Sequence, residues 1–228
     1  MCEQQMQNDP LLTGAAGVSI VGFSQGGLYA RALVQTCPGI RFVNLITLGS
    51  PHGGVEAIPG CDPDSDPDAT AICKATEAFL ALGVYSNICQ NNVVVAQYFR
   101  DPEHEDKFLA DKIYLAQLNN LVDAVPAYKD RLSSLSALAL FRFTNDTIVT
   151  PGQSAHFAYT AAGSGIIPLA EQRLYTEDFL GLRTLNETGR LLMGDIQGAH
   201  MQFSLQWFSE HVIRPYLAAT PPPATATF

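Results

Sequence analysis

Gly22-Phe23-Ser24-Gln25-Gly26-Gly27 stands between a mostly apolar run, Val18-Ser19-Ile20-Val21, and a helical pattern carrying Leu28, Ala32 and Leu33. A strand that stops at Gly-x-Ser-x-Gly and turns at once into a helix is a nucleophile elbow, because small residues let the backbone fold sharply enough to expose the serine hydroxyl. An ordinary glycine-rich turn is the plainer alternative, and the strand before and helix after are the context that favours a nucleophile at Ser24. The flanking glycines are expected to permit close contact between helix and strand. Gln25 places its N–H in the first helical turn, where a developing oxyanion would be stabilised, so it is the candidate oxyanion-hole donor.

The 228 residues are 47% hydrophobic, enough to bury a substantial core. A formal charge of −9 with no cluster of Lys and Arg excludes nucleic acid and an anionic membrane surface as partners. No apolar stretch reaches the roughly eighteen residues of a span, so no stable membrane insertion is expected. Met1 is not followed by the pattern of a signal peptide. Five cysteines and two sequons, Asn145-Asp146-Thr147 and Asn186-Glu187-Thr188, nonetheless lean toward an oxidising compartment and make Asn145 and Asn186 candidate glycosylation sites.

After the elbow helix, Cys37-Pro38-Gly39 is a stop signal, and residues 42–48 form a second apolar strand of the kind buried on both faces of a parallel sheet. It ends in Gly49-Ser50-Pro51-His52-Gly53-Gly54, at the edge where ligands of open α/β folds bind. From 55 to 136 the pattern changes. Residues 62–68 superficially suggest a calcium loop but lack its glycine turn and terminal Glu, so a solvated loop is expected, with no metal and no cofactor. Ile72, Phe79, Leu80, Leu82, Tyr85 and Ile88, then Val93, Val94, Tyr98 and Phe99, then Phe108, Leu109, Ile113, Leu115 and Leu118 recur at helical spacing and predict an inserted helical cap. Such a cap is either packing or one wall of a groove for an apolar substrate.

Residues 138–143 resume a strand that runs into Asn145-Asp146, 163–168 read as a loop, and 174–182 as an irregular connection. The last strand is predicted at 190–196, broken by Gly194, with 197–200 as the loop after it and 203–217 as a closing helix. Residues 218–228, rich in Pro and Ala, read as a disordered tail. The expected architecture is α/β, with the parallel sheet of an α/β-hydrolase fold. Residues 1–54 carry the first part of the core, 55–136 the helical insertion, and 137–217 the second part.

A serine hydroxyl needs a base to remove its proton, and the base needs a carboxylate to fix its tautomer. In α/β hydrolases these arrive in the order Ser, acid, His, each after a strand. Ser24, Asp146 and His200 fit that order. His52 comes too early and reads as a buttress of its loop, while His104 lies in a charged run; His156 and His211 read as packing or surface residues. Asp178 and Asp195 are the rival acids, one in an irregular loop and the other within a strand.

The chain resembles the palmitoyl-protein thioesterases, enzymes that remove fatty acyl groups from cysteine. The resemblance is carried by the elbow hexapeptide, Cys37-Pro38, Asn44-Leu45-Ile46, Tyr85-Ser86, Asp101-Pro102, the stretch Phe143-Thr144-Asn145-Asp146-Thr147-Ile148-Val149, Leu174-Tyr175-Thr176-Glu177-Asp178, Leu180-Gly181-Leu182, and the Gly-x-His ending at His200. It implies Ser24, Asp146 and His200 as the triad and S-palmitoylated proteins or peptides as substrates. It also implies disulfides Cys2–Cys37 and Cys61–Cys73, a glycan at Asn145, an acyl groove shaped by the insertion, and a lysosomal or secreted setting. The family's N-terminal strands and signal peptide, with a His-Gly loop that supplies a second oxyanion donor, have no counterpart here. The sheet is thus expected to be N-terminally incomplete and the chain as given weakly active or inactive. A lipase or carboxylesterase acting on oxygen esters shares the triad, and an inactive acyl-chain binder is the non-catalytic alternative.

Overall fold

The computed structural model describes residues 2–14, 16–57, 83–111 and 113–218, with backbone alone at 2–4. Among them, strands β1 (Val18–Phe23), β2 (Phe42–Leu48), β3 (Ala137–Asn145) and β6 (Leu191–Ala199) form a parallel sheet in the order β1-β2-β3-β6. A separate antiparallel hairpin joins β4 (Tyr159–Ala161) to β5 (Gly165–Ile167). Phe23 pairs with Leu48, Leu48 with Phe141, and Asn145 with Ala199. The four carboxyl ends therefore share one rim, and the residues that follow them are neighbours in space.

The apolar runs are nearly continuous because the sheet is covered on both faces. Successive residues point to opposite sides. Leu45, Leu138 and Leu140 join the core that includes Leu33 and Val34 of the elbow helix (Gln25–Thr36), while Ile46, Leu48, Phe141 and Ile196 join the one that includes Val212. Each such buried side chain contributes roughly 1.5–3 kcal/mol. Trp207 meets the edge of Phe141 at 5.1 Å and seals the second face. Its segment, capped by Ser204 Oγ accepting from Trp207 N at 3.0 Å, winds as an α-helix over Leu205–Phe208 and as a π-helix over Ser209–Leu217.

Gly194, expected to break the last strand, does not. It pairs with Phe141, and a Cβ there would lie 3.0 Å from that ring, so the glycine lets the ring lie close against β6. β6 accordingly continues to Ala199. The expected loop at 163–168 contains β5; Gly163 and Gly165, at φ 69° and 73°, turn the chain back on β4. The connection at 174–182 holds the short helix Arg173–Thr176 and the start of Leu182–Glu187.

Of the predicted cap, Asn87–Asn92, Val94–Tyr98, Glu105–Ala110 and Tyr114–Leu118 are short helices. Leu28 of the elbow helix packs with Phe108, Ile113 and Leu115, which fastens this layer above the elbow. The helix Pro126–Ser133 instead places Leu132 in the core beneath the elbow helix. Ile72, Phe79, Leu80 and Leu82, the acidic stretch at 62–68, and the tail beyond Ala218 lie outside the described residues. No helix among the described residues is long and apolar enough to cross a membrane.

Candidate active site

Ser24 follows β1 directly and holds φ 49°, ψ −131°, a conformation a non-glycine residue adopts only under constraint. The constraint is visible. Its N–H donates to Leu48 O at 2.8 Å, and its carbonyl accepts from Gly27 N at 3.0 Å. A Cβ on Gly22 would fall 2.4 Å from Gly27 Cα, and one on Gly27 would fall 1.8 Å from Ser50 Oγ. The tight glycines are thus Gly22 and Gly27. Gly26, the second glycine of the motif, would place a Cβ in open space among the described residues. Gln25 heads the helix, where the first N–H groups have no intrahelical acceptor and remain available to an anion.

His200 follows β6. Gly198 at φ 135° and Met201 at φ 62° shape its turn, and Gln202 fastens it by accepting from Ala199 N at 2.9 Å. The imidazole leans edge-on against Phe143, 5.8 Å between centroids. Gly49, at φ 59°, clears the other space: a Cβ there would lie 2.9 Å from the Phe143 ring and 3.1 Å from His200 Cε1. Asp146 follows β3 and is almost wholly buried; its Oδ1 accepts from Ile148 N and Val149 N, each at 2.9 Å. The three side chains meet in one line. Asp146 Oδ2 lies 2.8 Å from His200 Nδ1, and His200 Nε2 lies 2.9 Å from Ser24 Oγ. Such an arrangement can pass the serine proton to the imidazole while the carboxylate holds the ring in the right tautomer.

The rival residues are engaged elsewhere. His52 is fully buried, with Nε2 2.9 Å from Thr47 Oγ1, and burial, then Arg31, then His156 push its pKa well below 6.5. His156 sits 3.2 Å from both Leu140 O and Gly194 O, its pKa lowered first by burial. His104 pairs with Asp101 at 2.7 Å, and His211 stacks on Trp207 at 4.7 Å. Asp195 forms a two-pronged ion pair with Arg142. Asp178 anchors Leu182–Glu187 by accepting from Arg183 N and Thr184 Oγ1. Burial raises its pKa, but hydrogen bonds from Thr184 and Lys129 outweigh that and hold it below the ordinary carboxylate value.

Cys37 is disulfide-bonded; the side chain of its expected partner Cys2, and both Cys61 and Cys73, lie outside the description. Asn145 and Asn186 are exposed, and Asn186 Nδ2 donates to Tyr175 OH at 2.6 Å. Beside the first turn of the elbow helix, Gln25, Gly26, Leu28, Val94, Tyr98 and Tyr114 line a mostly apolar groove of about 430 Å³. Sequence reasoning missed Gly49, Phe143 and Gln202 as supports of the imidazole. The one readable signal was a glycine directly after a strand.

A family model described as palmitoyl protein thioesterase matches residues 1–200. Palmitoyl-protein thioesterase 1 of Caenorhabditis elegans is 35% identical over 214 residues, covering 93% of this chain and 70% of that protein. Palmitoyl-protein thioesterase 3 of Dictyostelium discoideum is 35% identical over 216 residues, 93% of this chain and 69% of the other. A Drosophila melanogaster protein described as a lysosomal thioesterase homologue is 31% identical over 211 residues, 88% and 68%.

Proposed function

The chain belongs to the palmitoyl protein thioesterase family, and on that premise we propose that it removes long-chain acyl groups, palmitoyl among them, from S-acylated cysteines of proteins or peptides. The observation that carries the mechanism is the unbroken line from Asp146 Oδ2 through His200 to Ser24 Oγ, at 2.8 Å and 2.9 Å. Ser24 Oγ attacks the thioester carbonyl as His200 Nε2 takes its proton. The oxyanion accepts a hydrogen bond from Gln25 N–H at the head of the elbow helix. Collapse expels the cysteine thiolate, which takes the proton from His200. Water, giving a proton to the same imidazole, then attacks the acyl-serine; the C–Oγ bond breaks, His200 returns the proton to Ser24 Oγ, and the fatty acid is released. The groove beside Gln25 and Gly26 supports an apolar acyl chain as the part of the substrate that is held.

A lysosomal or secreted setting is part of this reading. It rests on the name of the Drosophila relative and on the disulfide at Cys37, which needs an oxidising compartment.

The test is hydrolysis of a palmitoyl thioester and of its matched oxygen ester by the chain and by Ser24→Ala, with fluorophosphonate labelling alongside. The expected result is labelling that disappears in Ser24→Ala, thioester turnover that is weak but lost in that variant, and a preference for the thioester. Faster cleavage of the oxygen ester would make it a carboxylesterase, and acyl-chain binding with labelling unaffected by Ser24→Ala would make it a non-catalytic binder.

A further inference from the structure

His200 stands at the tip of a four-residue turn. Gln202 N donates to Ala199 O at 2.9 Å and Ala199 N donates to Gln202 Oε1 at 2.9 Å, with Met201 at φ 62° between them. A left-handed backbone at a residue with a side chain persists only where its surroundings impose it, so both ends of the turn must be held. The incoming end is held by the sheet, where Ala199 pairs with Asn145. The outgoing end leaves the sheet. Phe203 and Ser204 alone separate Gln202 from the helix that begins at Leu205, and the Ser204 hydroxyl is engaged in capping that helix. Phe203 is therefore the side chain placed to fix this end of the turn.

Its ring reaches the two other segments of the site. It stacks on Phe143, with 6.4 Å between centroids and 23° between planes, and on Phe23, at 6.1 Å and 5°. Phe143 is 1% exposed and meets the His200 imidazole at 5.8 Å, while Phe23 immediately precedes Ser24. All three separations fall within the roughly 4.5–7 Å over which aromatic rings attract. One half-buried ring, three residues from His200, thus ties the strand end that carries Ser24 to the ring on which the imidazole leans. Phe208 offers a comparison inside the same cluster. It packs on Phe203 at 5.6 Å and on Phe23 at 6.0 Å, but among the described residues it stacks on neither Phe143 nor His200.

We propose that Phe203 is a positioning residue for the reaction: set between Phe23 and Phe143, it holds the turn so that His200 Nε2 stays within reach of Ser24 Oγ while Nδ1 stays on Asp146. The inference rests on Ser24 as the nucleophile and not on which ester it cleaves. Its test compares Phe203→Ala, Phe203→Tyr and Phe208→Ala in two measurements. In fluorophosphonate labelling, Ser24 Oγ displaces fluoride from phosphorus as His200 takes the proton, and the rate of that step is separable from reversible affinity. In proton NMR, the far-downfield signal of His200 Nδ1–H is assigned by its loss in Asp146→Asn. For Phe203→Ala the bond-forming rate should fall on the order of tenfold to a hundredfold, as it does when a reacting group is displaced by about an ångström. Affinity should be unchanged, because the groove beside Gln25 and Gly26 is untouched, and the Nδ1–H signal should broaden away. Phe203→Tyr should restore both, and Phe208→Ala should leave both as in the parent even where it lowers the melting temperature. Labelling at the parental rate with the signal intact in Phe203→Ala, or an equal loss in Phe208→Ala, would reduce Phe203 to packing and overturn the proposal. A parent chain that is not labelled would sink the nucleophile reading, and the Nδ1–H signal alone would then decide whether Phe203 holds the imidazole. Should Phe203→Ala fail to fold, Phe203→Val, too short to reach Phe143, takes its place with the same expectations.

Discussion

Asp146 commits each carboxylate oxygen to a different task, Oδ1 to the amides of Ile148 and Val149 and Oδ2 to His200. That division makes Asp146→Asn informative. The amide oxygen is held by the two backbone donors, so the NH₂ faces His200 Nδ1, which must then be the unprotonated nitrogen. The ring proton moves to Nε2, opposite Ser24, where a base is needed. We expect kcat on a palmitoyl thioester to fall about 10⁴-fold with a near-native circular dichroism spectrum; a loss of less than tenfold would remove Asp146 from the mechanism. Ser24, Asp146 and His200 were legible in the sequence because each follows a strand and so reaches the same rim. Gly49 was not. Its significance lies in the Phe143 ring and in His200, 94 and 151 positions further on, and nothing in its local sequence reports them.

At the scale of elements, the elbow is fixed by contacts that the Gly-x-Ser-x-Gly pattern only half describes. Gly27 sits against Ser50 and Thr47, both buried and unable to swing away, whereas Gly26 has space beside it and does not hold a positive φ. Gly26→Ala should therefore raise stability by about 0.4–1 kcal/mol, through the lost freedom of the unfolded chain. Gly27→Ala should lower it by about 1–3 kcal/mol, as overpacking does where neighbours cannot yield. Urea unfolding of the two variants is the measurement, and equal losses would show the elbow to be held some other way. β2 and most of β3 were readable as nearly continuous apolar runs because burial on both faces leaves few polar positions, and the half-buried β1 was readable by its apolar run and the elbow that follows it. The continuation of β6 through Gly194 and the three-residue strands of the hairpin were not. A glycine that admits a ring from the next strand looks the same in sequence as one that ends a strand.

For the whole molecule, acid sets a limit that follows from two imidazoles outside the triad. His52 and His156 are buried chiefly at the expense of their charged forms, and Arg31 and Arg142 respectively push in the same direction. Both are therefore neutral in the folded state at a pH where an unfolded chain, with histidines near 6.5, takes up protons. Below that value the unfolded state binds more protons than the native one, so unfolding free energy rises with pH and stability falls as the solution is acidified. The slope approaches about 1.4 kcal/mol per pH unit for each imidazole, from about pH 6.5 down to its native pKa. Asp178, held below the ordinary carboxylate value, adds a second loss that begins only near pH 4. Unfolding midpoints between pH 7.5 and 2.5 should fall in that order. His156→Gln, whose amide can still donate to Leu140 O and Gly194 O, should flatten the upper segment by about one imidazole's share while leaving the lower one alone. Parallel curves for parent and variant above pH 5 would mean that His156 titrates as freely in the fold as outside it, and would leave the upper segment to His52.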